Sequence, residues 1–188
     1  MKVFDFDNTL YHGESAVDLA FFMIKNNKRI LLWIPRILWN LMKYKLCLVN
    51  REGMEQAINK FLQSVIRDKE ELFQQTRQFW KTHAHKLDRR IISLIKPDDI
   101  IISAGPDFLI GAVKNKLGTS NLLCSEINYE DMSVKYLNFG DNKVKRFRQL
   151  YGDNKISAFF TDSYNDKAMM DISEKVWLVS KGKIKRIR

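Results

Sequence analysis

Cysteine is scarce in this chain: Cys47 and Cys124 are the only two, too few and too far apart for a disulfide framework or a paired-cysteine metal site. That scarcity points to a reducing compartment with both thiols buried. Glycine and proline are also sparse, with 8 and 3 in 188 residues, which excludes collagen-like and low-complexity architectures. No run approaches the ~18 uncharged apolar residues that would span a bilayer. The acidic opening MKVFDFDNTL is unlike a signal peptide, so the expected address is the cytoplasm, with membrane association left open. Acidic residues are missing from Leu19 to Arg51, where Lys25, Lys28, Arg29, Arg36, Lys43, Lys45 and Arg51 supply seven positive charges. Such a stretch suits an anionic neighbour: nucleic acid, a membrane surface or a phosphorylated substrate.

What is present describes a folded protein. Hydrophobic residues make up 45% and aromatics 12%, enough for a real core. The net charge of +10 is unevenly spread: Lys and Arg stand against Asp and Glu at 1 to 3 in residues 1–14, 15 to 7 in 15–90, and 16 to 12 in 91–188. KVFDF (2–6) reads as a short strand closed by a polar loop. From Ser15 to Arg90 the apolar spacing is helical, giving four or five helices, one of them over Ile30 to Met42 and interrupted at Pro35. After Pro97 strand and helix alternate. Strands are expected at 99–104, 122–127, 156–161 and 176–179, helices at 107–117, 143–151 and 165–172, and a hairpin over 129–139. The basic tail KGKIKRIR reads as a solvated segment. The pattern predicts an α/β core of residues 1–14 and 91–188 with a parallel sheet, and a helical insertion of residues 15–90 after the first strand.

Four features carry chemistry. Asp5 and Asp7, at i and i+2 of a strand, would share one face at its carboxyl end, where open α/β sheets bind ligands. A chance DxD at a turn gives the same letters. Ser103 ends an apolar strand before Ala104, Gly105, Pro106 and a helix, a place for an anion cradle or equally for an N-cap. Lys143 opens a basic helix whose plainest reading is a solvated face. TDSYND sets Asp162 and Asp166 just past another apolar strand, where a cap and a surface charge would look alike.

Together and in this order the four resemble the haloacid dehalogenase superfamily of phosphohydrolases. The first motif, DxDx[TV], stands as Asp5 to Thr9, the second as Ser103, the third as Lys143, and the fourth, DxxxD, as Asp162 and Asp166. The helical insertion is similar to the cap of the phosphoserine-phosphatase-like subgroup, whose DGxND form DSYND resembles, although Thr161 stands where that subgroup commonly has Gly. The resemblance implies a Rossmann-like parallel sheet with a helical-bundle cap inserted after strand 1. It implies a Mg²⁺-dependent phosphomonoester hydrolase, with Asp5 as the nucleophile that forms an aspartyl-phosphate and Asp7 as acid and base. Mg²⁺ would sit on Asp5, the carbonyl of Asp7 and Asp162, with Asp166 orienting that shell. Ser103, Lys143 and the amides after Asp5 and Ser103, that of Ala104 included, would bind the phosphoryl oxygens. Thr9 would tie the loop, and Asn165 would reach phosphate or cap the next helix. Glu14 stands where phosphoserine phosphatases receive the substrate's amino group, though a helix N-terminus favours a carboxylate there in any case. Ile58 falls near the position of the cap arginine expected for phosphoserine, so the substrate's identity does not carry over.

Residues 19–51 are apolar at 21 of 33 positions, with Trp33 and Trp39 among seven cations. A self-packed cap with outward-snorkelling cations is one reading. An interfacial surface resting on an anionic membrane, which would admit a lipid phosphate beside small phosphorylated metabolites, is another. Nucleic acid is not expected, because the cations are interspersed with large aliphatics rather than forming a polar groove. His83 and His85 lack further ligands for a zinc site. The alternative from another class is a Mg²⁺-holding module without turnover whose basic cap recruits a membrane or partner.

Overall fold

The computed structural model describes residues 1–26, 35, 39, 51–66, 68–180 and 183–188. Seven strands form one sheet: β1 (Lys2–Phe4), β2 (Ile100–Pro106), β3 (Leu122–Asn128), β4 (Ser133–Tyr136), β5 (Ala158–Thr161), β6 (Val176–Ser180) and β7 (Lys183–Arg186). Their order is β4-β3-β2-β1-β5-β6-β7, with β3, β2, β1, β5 and β6 parallel and an antiparallel strand at each edge. The chain leaves β1 toward β2 and β3, then returns to the other side of β1 as β5. The strand order therefore reverses at β1, which opens a crevice beyond the carboxyl ends of β1, β2 and β5.

The central strands are buried on both faces, and their sequences are accordingly near-continuous runs of Ile, Val and Phe. Alternation still sorts them. Val3, Ile100, Ile102 and Phe159 face one core with Phe147 and Met169, while Phe4, Ile101 and Phe160 face the other with Leu109, Phe79 and Trp80. The first face is covered by α6 (Asp141–Tyr151) and α7 (Lys167–Asp171). On the second lie α5 (Asp107–Gly111) and the helices that separate β1 from β2, namely α1 (Ser15–Asn26), α2 (Arg51–Val65), α3 (Lys69–His83) and the single turn α4 (Arg89–Ile92). Trp80 of α3 donates its indole N–H to the Leu109 carbonyl at 2.8 Å and meets Phe6 and Tyr11 edge-on, so the inserted helices are joined to the sheet by a buried aromatic contact.

Several expectations are corrected. The first strand stops at Phe4, so Asp5 and Asp7 lie past its end rather than on one strand face. The helix expected over 107–117 ends at Gly111, with a separate 3₁₀ turn at Lys114–Lys116, and that expected over 165–172 is a 3₁₀ turn at Tyr164–Asp166 followed by α7. The hairpin is made by β3 itself with β4, in antiparallel register. The basic tail is not loose: Lys183–Arg186 pairs with β6 as an exposed edge strand whose lysines discourage further strand addition. The helix expected over Ile30 to Met42 falls, apart from Pro35 and Trp39, outside the described residues, as does Cys47. The membrane-surface reading is of residues 19–51, of which 27–34, 36–38 and 40–50 likewise lie outside the described residues. Cys124 is a buried free thiol that burial pushes up to about 12. Among the described residues no helix is long and apolar enough to cross a membrane. His83 stacks on Phe79 at 4.2 Å, with His85 6.5 Å away, in keeping with a packing role.

Asp88 shows how the insertion is closed onto the core. Its amide donates to the Leu10 carbonyl at 2.8 Å, and its carboxylate caps α4 at the Arg90 amide (3.0 Å) and holds the Arg90 guanidinium at 3.0 Å. Burial works to raise this carboxyl, but the hydrogen bonds from Arg90 and the α4 amides outweigh it and hold Asp88 below its ordinary value. Asp88→Ala is expected to lower unfolding stability by about 1 kcal/mol, as loss of a helix cap does. Because the folded-state value is lowered, this contribution is present above about pH 4 and is lost as pH falls through it. Thermal melts of both proteins should therefore differ at neutral pH and converge in acid.

Candidate active site

The amide of Asp5 donates to the Phe160 carbonyl at 2.8 Å, continuing the β1–β5 ladder by one bond and fixing the residue at the switch point. The chain then turns. Three successive amides, those of Thr9, Leu10 and Tyr11, converge on the Phe6 carbonyl, and Asn8 takes a left-handed conformation (φ 55°) that asparagine tolerates. This turn brings Asp7 back to α1, where the Ser15 amide donates to its Oδ1 at 2.6 Å, and lets the Asn8 amide group donate to Glu14 Oε1 at 2.7 Å.

Lys143 comes from the first turn of α6. Phe147, one turn further along the same helical face, is fully buried under the sheet, which directs Lys143 to the carboxyl edge of the strands. Its ammonium lies 2.9 Å from Asp5 Oδ1 and 2.7 Å from Asp166 Oδ1, and the residue is only 3% exposed. The second oxygen of Asp166 accepts from the Thr161 hydroxyl at 3.0 Å, and that hydroxyl accepts from the Ser163 amide at 3.2 Å. The residue that departs from the family pattern is thus part of the hydrogen-bonded support of Lys143.

Burial and like charge dominate the electrostatics. Burial raises Asp5 well above its ordinary value; Lys143 works against it, and Asp166 and Asp162 offset part of that opposition. Asp7 is pushed up to about 7 by burial and by Glu14, and Asp162 to about 6 by burial, Glu14 and Asp166. Burial would lower Lys143, but Asp166 and Asp5 override it and hold the ammonium charged well above its usual range. A carboxyl that holds a proton near neutrality can give it up and take it back, the property asked of an acid–base group.

Asp5, Asp7, Glu14, Ser103, Ala104, Lys143, Asp162 and Asn165 all line one cavity of about 590 Å³ at the carboxyl edge. Thr9 and Asp166 are not among its lining residues. Thr9 is buried in the turn, its amide bound to Phe6 and its hydroxyl without a hydrogen-bond partner. Asp166 lies behind Lys143, both carboxylate oxygens engaged. Ser103 does not cap a helix: β2 runs on to Pro106, and its hydroxyl accepts from the Gly105 amide at 2.9 Å. A Cβ at Gly105 would stand 3.0 Å from Ile110 and 3.2 Å from that hydroxyl, so glycine keeps the turn this tight. Sequence reasoning missed Asn8, the Ser15 amide and Thr161, whose signals are local hydrogen bonds invisible to spacing. It also missed the side chains of α1 and α2 that wall the cavity.

Four carboxylates and one ammonium on this lining leave an excess of negative charge that a divalent cation would neutralise. Among the described residues no three carboxylate, histidine or cysteine side chains close into a metal cage. Mg²⁺ requires none, since it is held by one or two carboxylates, carbonyls, waters and substrate oxygens. The donors present fit it.

The family model described as haloacid dehalogenase-like hydrolase matches residues 3–171, the span from β1 to α7 that contains every residue above. The chain belongs to this family. No curated protein sequence matches it. Among solved structures, this hydrolase is similar to a protein of unknown function from Bordetella pertussis Tohama I, at TM-score 0.77 and 18% identity over 94% of this chain and 87% of that one. A phosphoserine phosphohydrolase-like protein from Francisella tularensis subsp. tularensis SCHU S4 superposes at TM-score 0.67, with 20% identity over 94% and 86%. A phosphoserine phosphatase with a phospho-aspartyl intermediate analogue does so at 0.56, with 17% identity over 93% and 83%. At these identities the likeness establishes a shared fold.

Proposed function

We propose that this hydrolase is a phosphomonoesterase that works through an aspartyl-phosphate on Asp5, with residues 15–90 acting as a cap over the site. The observation that carries the reading is the Asp5–Lys143–Asp166 cluster at the floor of a cavity that also presents Asp7. Asp5 is anchored by backbone and held 2.9 Å from a buried ammonium, which aims one oxygen and leaves the carboxylate to attack phosphorus as the ester oxygen departs. Asp7, clamped by the Ser15 amide, gives the departing alkoxide its proton and takes one from the water that later releases phosphate. Lys143 and Ser103 meet the phosphoryl oxygens, and Asp166, braced by Thr161, keeps Lys143 in place. Mg²⁺, held by Asp5, Asp162 and the carbonyl of Asp7, would screen the charge between carboxylate and phosphoryl group.

Phosphate release should depend on added metal. With p-nitrophenyl phosphate and Mg²⁺, turnover is expected, and EDTA should reduce it by about 100-fold or more, with recovery on adding excess Mg²⁺. A folded protein that binds Mg²⁺ yet releases phosphate from no ester in a broad panel would favour the non-catalytic module instead.

A further inference from the structure

The cavity is divided. Its floor holds the carboxylates and Lys143, while its upper wall is hydrocarbon: Val17, Ala20 and Met23 from α1, Ile58 and Phe61 from α2, and Val134 from β4. We propose that the alcohol half of the substrate is apolar, so that the enzyme cleaves monophosphate esters of hydrocarbon-chain alcohols. This inference rests on Asp5 as phosphoryl acceptor, which fixes the phosphate at the floor and sends whatever it is esterified to along the wall.

The wall is built rather than incidental. Asn59 accepts from the Val134 amide at 2.7 Å and Gln63 donates to the Asp131 carbonyl at 3.1 Å, so one face of α2 is bolted to the β3–β4 hairpin. Ile58 and Phe61, three residues apart, are thereby turned to the cavity. At about 590 Å³ the space holds far more than a phosphoryl group and is in the range that accommodates a ligand of drug-like size. Chemistry then selects the occupant. Among the described residues lining the cavity Lys143 is the sole cation, and Asp5 and Asp166 already engage it. A leaving group bearing a carboxylate would meet no opposite charge along Val17, Met23, Ile58 and Phe61, and hydroxyls placed there would lose water without a partner. Methylene groups gain by the same burial.

The test is a homologous series of n-alkyl monophosphates from ethyl to octyl, kept below their micelle concentrations, beside phosphoserine, glycerol 1-phosphate and acetyl phosphate. kcat/KM is expected to rise about fourfold for each methylene until the wall is covered. Phosphoserine and glycerol 1-phosphate should fall at or below ethyl phosphate. Ile58→Asn should reduce the octyl-to-ethyl ratio by about tenfold or more. A flat or falling series, or a preference for phosphoserine, overturns the apolar assignment while turnover of ethyl and acetyl phosphate sustains the phosphatase reading. Absence of turnover on every compound, acetyl phosphate included, overturns both.

Discussion

Asp5→Asn is expected to reduce phosphate release by about 10⁴-fold or more while the protein stays folded, as removal of a covalent nucleophile does elsewhere. The substitution keeps the shape and the backbone bond to Phe160 and removes only the charge. Stability should not fall. Asp5 is raised by burial and by Asp166 and Asp162, so its ionised form opposes folding above the ordinary carboxylate range, and Asn carries no such form. The melting temperature of the variant at neutral pH is therefore expected to equal or exceed that of the wild type, with the difference closing as pH drops and Asp5 takes up its proton. The remaining Lys143–Asp166 pair is electrically balanced, where the wild-type cluster sets two carboxylates on one ammonium. Acid quenching during turnover of a phosphorus-labelled ester should leave a hydroxylamine-labile label on the wild-type chain and none on the variant. A folded variant that retains turnover within tenfold would remove Asp5 from this role.

The parts of this molecule legible in its sequence are those where one strand or one motif carries the signal. Ile100 to Ile102 announced a buried parallel strand, and the helical interval over residues 15–90 announced an insertion, because hydrophobic period survives without tertiary knowledge. Asp5 and Asp7 were singled out through strand alternation, yet β1 ends at Phe4 and it is the turn onto Phe6 and the Ser15 amide that bring both to one cavity. β7 was unreadable because KIKR alternates in an all-exposed edge strand, where pairing with β6 rather than burial defines the element. Thr161 stood out only as a departure from the subgroup's glycine, since its bond to Asp166 exists only once the 3₁₀ turn closes. The apolar wall is the clearest case. Val17, Ile58 and Val134 lie on three elements far apart in sequence, and the bonds of Asn59 and Gln63 to the hairpin, not any periodicity, bring them together.

Lys143→Met should damage both stability and activity, and pH separates the two. Methionine fills nearly the same volume, so the change leaves Asp5 and Asp166 buried at 7% exposure without their cation. Removing one partner of a buried ion pair costs about 3–5 kcal/mol. The cost has a definite pH course: with Lys143 gone Asp5 loses the charge that opposes its rise, so the variant suffers most at neutral pH and regains ground as pH falls and Asp5 takes up a proton. Phosphate release should drop by about 10²–10³-fold, the usual effect of losing one group that faces developing phosphoryl charge. Combining Lys143→Met with Asp5→Asn removes one of the two stranded charges, so the double variant should be more stable than Lys143→Met alone, a coupling that a double-mutant cycle reads directly. Activity should not return with that stability. If Lys143→Met instead melts like the wild type at pH 7 and Asp5→Asn adds nothing to it, the three side chains are not one electrostatic unit, and Lys143 is not what aims Asp5.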